Sequence, residues 1–344
     1  MPAISTREQP RLVVKLPDGT DFTMYTPTAK GEEFHNNQAK NLLALGNRSG
    51  GKTLILRFDA HLRALTHPGA NLFLVRNTYG ELLKSHVYFQ GLPWGTLKEE
   101  MKLLGGDFNK GEYICFYPNG SKLFLTYVGD ENAATRLLSA EFLAGYFDEL
   151  STIPWDYFNM MCASVRVPKG RGWVPVVRAA TNPLGQSTPE ILQFFVNKDE
   201  IDYEANPDYN PNDWDCIRIN AQDNTYIDAD AYLKDLKSRN LPEHIKQAWI
   251  YGEYVDESAL FSFHPTKDNH PYHVLPELDI AKLVKSAQIY RVYDHGYKPD
   301  PAYCAWIAHL GNRYIAFHEK VWYETIVSDI AEDIKTIDEE LGIS

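Results

Sequence analysis

The chain has 344 residues, of which 44% are hydrophobic and 13% aromatic, enough apolar surface for one large domain or two smaller ones. Its formal net charge of −12 argues against a protein whose whole surface coats nucleic acid, although it allows a local basic patch such as 165–178. The sequence has no run of about 18 apolar residues that could span a membrane, and its N-terminus lacks the apolar stretch of a signal peptide.

The cysteines are scattered along the sequence, with no CxxC pair and no histidine nearby at metal-binding spacing. This pattern predicts reduced thiols in the core of a cytosolic protein rather than ligands of a structural zinc. The four residues are Cys115, Cys162, Cys216 and Cys304.

From about residue 40, short apolar runs alternate with segments that have the periodicity of an amphipathic helix. One such segment has leucine and phenylalanine on a single face between 54 and 65, and the sequence THPG ends it. Asn119 and Gly120 lie between two apolar runs and predict a hairpin over 113–128. Buried strands that alternate with helices favour a mostly parallel α/β sheet. The other predicted strands are NLLAL (41–45), NLFLVR (71–76), FLAGYF (142–147) and VPVVRAA (174–180).

The C-terminal part of the sequence predicts the start of a second α/β domain. Helical patterns at 228–240 and 242–252 close the first domain, and the following stretch of prolines and mixed charges predicts a linker. Three apolar runs beyond it predict consecutive strands, and isoleucines on one face predict a final helix. The predicted strands are 286–294, 302–310 and 313–322, the helix is 325–341, and the predicted divisions are a domain at 1–255, a linker at 256–285 and a domain at 286–344.

The sequence GNRSGGKT at 46–53 fits the P-loop pattern G-x-x-x-x-G-K-[ST] at every fixed position, between a predicted strand and a predicted helix. Its glycines let backbone N–H groups approach a nucleotide phosphate at the positive N-terminus of the helix. The lysine reaches the β- and γ-phosphates, and the threonine hydroxyl ligates Mg²⁺. The predicted ATP-binding residues are Gly46, Asn47, Arg48, Ser49, Gly50, Gly51, Lys52 and Thr53.

Two acidic residues, Asp148 and Glu149, end another apolar strand downstream of the P-loop. In a P-loop enzyme Asp148 would hold Mg²⁺ through water, and Glu149 would polarise the attacking water. An acid in this second position points to hydrolysis rather than to transfer onto a bound hydroxyl. The alternative is a solvent-facing acidic pair that caps the next helix, and the P-loop upstream favours the catalytic interpretation.

Two further strand ends each allow two interpretations. Thr181 and Asn182 follow the strand at 174–180, where they could contact the γ-phosphate or the attacking water, or form an ordinary Asn-Pro turn. Asp294 precedes a turn rich in glycine and proline, and could be a turn residue or the first carboxylate of a metal site. The residues alone leave both questions open.

Taken in chain order, these motifs resemble the large terminase subunit of tailed bacteriophages, the ATP-driven motor that packs DNA into procapsids. GNRSGGKT resembles the terminase P-loop, including an arginine at Arg48, and YFDEL resembles the acidic strand end that follows. FHNNQ resembles the adenine-side glutamine motif, with Gln38 as the base contact. The other stretches that resemble the family are LVRNTYGELLKS (74–85), the hairpin and basic residue within 116–150, ATNP (180–183), DNTYI (223–227) and YGEY (251–254).

The resemblance implies an α/β fold in which a P-loop ATPase domain of RecA-like (ASCE) type, with a mostly parallel sheet, precedes a truncated RNase H-like nuclease domain. Asp294 matches the first metal-binding carboxylate of that nuclease, and Glu319 is a second candidate ligand. The family's other essential aspartates follow the helix at 325–341, beyond these 344 residues. Because a two-metal site needs several carboxylates, the resemblance predicts endonuclease activity for a full-length protein and little or none for this chain.

The resemblance also implies ATP hydrolysis that drives translocation of double-stranded DNA, with ATP and Mg²⁺ as cofactors and Mg²⁺ or Mn²⁺ at the nuclease site. Lys52 and Glu149 are the expected catalytic residues. The arginine that stabilises the transition state is expected to be Arg48 in cis, or Arg136 or Arg166 in trans. The expected coupling residues are Thr181 and Asn182, and the expected DNA contacts are Lys169 and Arg171.

The implied partners are double-stranded DNA gripped through its phosphates, the portal protein, the small terminase subunit and further copies of the chain in a ring. The implied location is the host cytoplasm, docked transiently on the procapsid portal and without a membrane. Three other classes of protein are alternatives to a terminase. A helicase-like nucleic-acid ATPase needs a second RecA-like lobe, a non-hydrolysing nucleotide-binding module is disfavoured by Glu149, and a stand-alone nuclease is disfavoured by the missing carboxylates.

Overall fold

A computed structural model of the chain divides into two compact units, Met1–Ala259 and Leu260–Ser344. The domain bounds expected from the sequence, with a linker at 256–285, stay predictions. The structure describes residues 3–5, 11–16, 18–129, 140–204, 206–255, 279–298, 300–311 and 313–343.

Within the described residues the strands form three separate sheets, two in the first unit and one in the second. Their lengths, three to ten residues, are usual for globular proteins. In chain order they are β1 (Ala3–Ser5), β2 (Arg11–Lys15), β3 (Asp21–Tyr25), β4 (Asn41–Leu45), β5 (Asn71–Arg76), β6 (Asp107–Asn109), β7 (Ile114–Phe116), β8 (Lys122–Tyr127), β9 (Ala144–Asp148), β10 (Val176–Thr181), β11 (Trp214–Arg218), β12 (Gln288–Asp294), β13 (Ala302–Leu310) and β14 (Arg313–Trp322).

Several helices begin at a residue whose side chain caps the first turn. Thr28 accepts a hydrogen bond from the Gly31 N–H, and Asp228 accepts one from the Ala231 N–H, which satisfies donors that have no partner within the helix. In chain order the α-helices are α1 (Ala29–Asn36), α2 (Lys52–Thr66), α3 (Tyr79–Leu82), α4 (Leu97–Leu103), α5 (Trp155–Cys162), α6 (Thr188–Phe195), α7 (Ala229–Ser238), α8 (Glu243–Lys246), α9 (Ile280–Ser286) and α10 (Val327–Leu341), with π-helical turns at Leu83–Val87 and Gln247–Tyr251 and 3₁₀ turns at Leu150–Thr152, Lys198–Glu200, Pro211–Asp213 and Ala221–Asp223.

The main sheet of the first unit has eight strands in the order β11-β4-β10-β9-β5-β8-β7-β6. The six strands from β11 to β8 are parallel to their neighbours, and β7 and β6 extend the β8 edge in antiparallel fashion. The mostly parallel α/β sheet expected from the sequence is therefore confirmed, as is the hairpin between β7 and β8. Because parallel strands end at the same edge, the residues after β4, β9 and β10 meet there.

Helices cover both faces of this sheet. In β4, Leu42 belongs to the buried core that includes Phe58 of α2, whereas Leu43 belongs to the opposite core with Phe158 of α5 and Ile191 of α6. The strands β4, β9 and β10 are buried at every residue, as a sheet covered on both sides requires. This explains why they stand out in the sequence as continuous apolar runs.

Some structural features of the first unit differ from what the sequence predicted. The N-terminal strands β1, β2 and β3 form a small antiparallel sheet, and Tyr25 at its end stacks on Phe58 of α2 with ring centroids 4.2 Å apart. The edge strand β11 was missed because its sequence, WDCIR, mixes polar and apolar residues that are mostly half-buried. The predicted helix at 242–252 is α8 followed by a π-helical turn that ends at Gly252, whose φ is +70°.

The second unit contains the predicted strands and final helix in the predicted order. The antiparallel sheet β12-β13-β14 has one face covered by α10, where Trp306 is buried and donates its indole N–H to Asp338 at 2.8 Å. Helix α9 occupies residues that the sequence analysis assigned to the end of the linker; Asp279 caps it by accepting from the Lys282 N–H. The rest of that linker, 256–278, lies outside the described residues.

No helix in the described part of the chain is both long enough and apolar enough to span a lipid bilayer. The cysteines are free thiols, two of them fully buried in the core and two half-buried.

Candidate active site

The P-loop connects β4 to α2 in a conformation that needs its glycines. A Cβ on Gly46 would lie 2.1 Å from the Ile219 carbonyl oxygen, and one on Gly50 would lie 2.7 Å from the same atom. Gly51 has a φ of +81° at the start of α2, and Ser49 adopts a φ of +69° although it is not glycine. The backbone of the loop is therefore packed directly on the segment that follows β11.

The segment after β11 holds the P-loop through side-chain amides. Asn220 accepts from the Asn47 N–H at 3.0 Å, and the Asn47 side chain in turn accepts from the Ala221 N–H at 2.6 Å. Asn224 donates to the Ser49 carbonyl at 2.9 Å. These bonds leave the loop little freedom to change shape on its own.

Lys52, the first residue of α2, points back into the loop. Its ammonium donates to the Gly46 carbonyl at 3.1 Å and to the Asn182 side-chain oxygen at 2.8 Å. Burial lowers the pKa of Lys52 to about 8, while the nearby carboxylates of Glu149 and Asp148 act in the opposite direction. The contact brings the strand end after β10, predicted as the coupling element, directly against the P-loop lysine.

Asp148 ends β9 and is surrounded by donors. Thr53 donates to its Oδ1 at 3.0 Å, and Arg76 and His86 both reach its Oδ2, at 2.8 and 3.0 Å. Burial alone would raise the pKa of Asp148, but Arg76 and His86 outweigh it and hold the pKa well below its usual range. Thr53 and Asp148 thus present two adjacent oxygens of the kind that Mg²⁺ prefers.

Glu149 lies immediately beyond β9 in a strained backbone conformation. Its φ is +55°, in the left-handed region that is unusual for a non-glycine residue and is frequent at functional sites. Burial and the neighbouring Asp148 carboxylate raise its pKa, partly offset by Arg76 and Lys52, and it accepts from the Asn182 backbone N–H. A carboxylate with a raised pKa is better suited to take a proton from water.

Thr181 connects the end of β10 to the segment after Glu149. Its hydroxyl accepts from the Ser151 N–H at 3.1 Å and donates to the Ser151 hydroxyl at 2.8 Å. The two strand ends that flank the P-loop lysine are therefore bonded to each other. This satisfies a geometric requirement of the predicted coupling role, which stays a prediction.

These residues surround one cavity of about 650 Å³ at the carboxyl edge of the parallel sheet. A pocket of this size is typical for a small-molecule ligand. Apolar and aromatic side chains complete its wall, among them Phe89 and Trp249. Its lining residues are Arg48, Ser49, Gly50, Gly51, Lys52, Thr53, Leu54, Arg76, Glu81, Phe89, Asp148, Glu149, Thr152, Ala180, Thr181, Asn182, Leu184, Asn224, Ile227 and Trp249.

Two other predicted site residues, Gln38 and Arg166, lie away from this cavity. Gln38, the expected base contact, does not line it; its side-chain amide donates to the Asn36 carbonyl at 2.8 Å. Arg166 pairs with Glu141 near the amino end of β9, at the opposite edge of the sheet. Arg136 lies outside the described residues.

The expected DNA contacts also lie at that opposite edge. Lys169 and Arg171 are exposed residues of the loop that leads into β10, and the Arg171 guanidinium rests 4.6 Å from the ring centroid of Trp173. Their role in binding DNA stays a prediction.

Arg76 and His86 were not predicted as site residues. Arg76 ends β5, which is next to β9 in the sheet, so a polar residue at the end of a buried strand was an available signal. His86 lies in a π-helical turn, and no pattern in the sequence connects it with Asp148. No pattern in the sequence connects Trp249 with the P-loop either, because their contact depends on how the C-terminal part of the first unit folds back.

Asp294 ends β12 as predicted, directly opposite Tyr303 of β13. Tyr303 donates to Glu319 of β14 at 3.0 Å, so both candidate nuclease carboxylates lie beside this tyrosine. No group of three or more metal-ligating side chains is found within the described ranges. The residues present in these ranges therefore do not fit a two-metal centre.

No family model and no curated protein matches the sequence. Solved structures do match the fold. The large terminase from a thermophilic bacteriophage, in complex with ADP, aligns over 91% of this chain and 74% of that chain, with a TM-score of 0.50 and 15% identity. The ATPase domain of the large terminase from Thermus phage P74-26 aligns over 67% of this chain and 95% of that chain, at 15% identity and a TM-score of 0.47, too low to support anything further.

At 15% identity the first of these alignments establishes the fold alone. The resemblance that the sequence motifs carry is thereby confirmed as a likeness of architecture. This chain has the fold of the ADP-bound large terminase from that thermophilic bacteriophage.

Proposed function

We propose that the chain is a large terminase that hydrolyses ATP and uses the energy to move double-stranded DNA into a procapsid. The observation that carries the proposal is the convergence of Lys52, Asp148, Glu149 and Asn182 on one cavity behind a P-loop. The order of the sequence motifs and the fold shared with the ADP-bound large terminase support the same assignment.

Each of these cavity residues has its own role in ATP hydrolysis. Lys52 exchanges its carbonyl and amide partners for the β- and γ-phosphates of ATP. Glu149 accepts a proton from the attacking water, whose oxygen bonds to the γ-phosphorus as the bond to ADP breaks. Thr53 and Asp148 would hold Mg²⁺, which neutralises phosphate charge when bound.

Binding of DNA and of the packaging partners belongs to the same proposal. The exposed basic residues Lys169 and Arg171 are candidates for contact with DNA phosphates. Because such contacts are electrostatic, DNA binding should weaken strongly as the salt concentration rises. The portal protein, the small subunit and a ring of copies on the procapsid are the partners that a terminase role entails. An endonuclease function is proposed only for a protein that supplies the further carboxylates.

The test is ATP turnover by the purified protein with and without linear double-stranded DNA. We expect turnover stimulated by DNA, and a loss of at least about 10²-fold in Lys52→Ala because a preorganised charge on the phosphates is removed. Lys40→Ala is the matched control, since Lys40 is an exposed lysine that does not line this cavity.

The outcomes also separate the rival classes. Strand separation driven by ATP on a forked duplex would favour a helicase-like enzyme. Tight ATP binding without turnover in the wild type would favour a non-hydrolysing nucleotide-binding module.

A further inference from the structure

One aromatic side chain in the cavity wall is not explained by nucleotide binding or by the hydrolytic residues. Trp249 lies in the π-helical turn Gln247–Tyr251, about 200 residues after the P-loop, and its indole is half-buried. The guanidinium carbon of Arg48 lies 4.4 Å from the centroid of the indole ring. This distance is well within the range of a cation–π interaction.

The backbone of the same turn is fixed to the P-loop. The Arg48 N–H donates to the Trp249 carbonyl at 3.1 Å, and the Asn47 side chain donates to the Ile250 carbonyl at 2.9 Å. Gly252, with a φ of +70°, passes so close that a Cβ there would lie 2.8 Å from the Asn47 nitrogen. The indole therefore has a set position relative to Arg48.

Arg48 itself has few other constraints. Its side chain is exposed, it occupies a variable position of the P-loop, and it lines the cavity together with Glu149 and Lys52. A long side chain in such a place has many rotamers, and ordering it costs conformational entropy. An arginine that must meet charge developing on a phosphate works best when it is already oriented.

We propose that Trp249 is a positioning residue for Arg48: its indole face holds the guanidinium at the cavity wall, where it can act on a bound phosphate. The inference rests on the proposed function and deepens it, since it names the residue that makes Arg48 effective in cis. Trp249 takes no part in the chemistry and contacts no reacting atom. Its removal should affect turnover more than nucleotide affinity.

The experiment compares Trp249→Leu, which keeps an apolar side chain but removes the aromatic face, with Trp249→Phe, which keeps a smaller aromatic face. Steady-state ATP hydrolysis without DNA is measured in both variants, in Arg48→Ala and in the double variant with Trp249→Leu. We expect kcat to fall about 10-fold in Trp249→Leu and less than about 3-fold in Trp249→Phe, with KM changed less than about 2-fold in each. In the Arg48→Ala background, Trp249→Leu should cause no further loss, because the two changes remove one interaction.

The chain offers a matched control in Trp173, which forms a similar pair with Arg171 at 4.6 Å and does not line the cavity. Trp173→Leu should leave basal turnover unchanged. The proposal is overturned if Trp249→Leu hydrolyses ATP at or above the wild-type rate, or if its effect is as large without Arg48 as with it. It is equally overturned if the loss appears in KM together with a lowered thermal midpoint, which is what a purely structural role predicts.

A second readout separates this inference from the proposed function. The Arg48→Ala change should alter tryptophan emission in the otherwise wild-type protein and leave it unaltered in Trp249→Phe, because among the described residues the Arg48 guanidinium stacks on the indole of Trp249 alone. If the wild type does not hydrolyse ATP, the proposed function fails, while the emission comparison still decides whether Trp249 holds Arg48. If Arg48→Ala leaves the emission of the otherwise wild-type protein unchanged, that result alone overturns the inference.

Discussion

Asp148 and Asp294 end similar strands in the two units, and they differ in what surrounds them. Asp148 is 1% exposed and has Thr53, Arg76 and His86 on its two oxygens. Asp294 is exposed at the end of β12, beside a single tyrosine on the neighbouring strand. The sequence shows the same pattern at both positions, an aspartate at the end of a strand. Of the two, Asp148 lies among converging side chains and Asp294 does not.

The difference follows from the two sheets. In the parallel sheet, β4, β5, β9 and β10 all end at one edge, so residues far apart in sequence meet around Asp148. The three strands described in the second unit are antiparallel, and their successive ends alternate between two edges. A sheet of this kind gathers fewer polar residues at any one strand end.

The largest expected contrast comes from the same substitution at each aspartate. Asp148→Asn should lower kcat for ATP hydrolysis by about 10²–10³-fold, because it removes the carboxylate that would hold Mg²⁺ against the phosphates. Asp294→Asn should leave ATP turnover within about 2-fold of the wild type, since surface changes away from a site have small effects. Both variants are measured in one steady-state assay. Equal losses of kcat would show that Asp148 and Asp294 do not differ in their importance for ATP hydrolysis.

A smaller contrast concerns stability. His86→Leu leaves one donor fewer on the buried Asp148 and should lower the free energy of unfolding by about 1–3 kcal/mol. Tyr303→Phe removes the exposed hydrogen bond to Glu319 and should change it by less than about 0.5 kcal/mol. Urea unfolding followed by tryptophan emission measures both, and a similar shift in the two variants would contradict the account.

The smallest expected effect is a change in pH dependence. Burial lowers the pKa of His86 below its usual 6.5, so the unfolded chain binds more protons at this residue in mildly acidic solution. The contribution of His86 to stability is therefore complete above pH 6.5 and is lost as the pH falls through its lower, folded-state pKa. The difference in stability between wild type and His86→Leu should shrink from about pH 7.5 to about pH 5. A difference that grows on acidification would contradict this sign.

Much of the proposed ATP site could be predicted from the sequence because its signals are local. The P-loop, the acidic end of β9 and the Thr181-Asn182 strand end each lie within a few residues of an apolar run. The strand order could not be read in the same way, since β11, β4 and β10 become neighbours only through crossovers. The strand ends that the sequence predicted one by one nevertheless meet at the carboxyl edge of the parallel sheet.

The missed residues depend on tertiary structure. His86 reaches Asp148 from a π-helical turn, and Trp249 reaches Arg48 from the C-terminal part of the first unit. No periodicity or motif connects either pair. The left-handed conformation of Glu149 is likewise set by its surroundings, since a glutamate has no intrinsic preference for it.

Glu149→Gln is the sharpest test of the proposal that Glu149, just beyond the end of β9, activates water in an ATP site. This change keeps the shape of the side chain and removes its ability to accept a proton. We expect the variant to bind ATP with an affinity close to that of the wild type, while kcat falls by about 10²–10⁴-fold. Wild-type turnover in Glu149→Gln, with binding intact, would contradict the proposal.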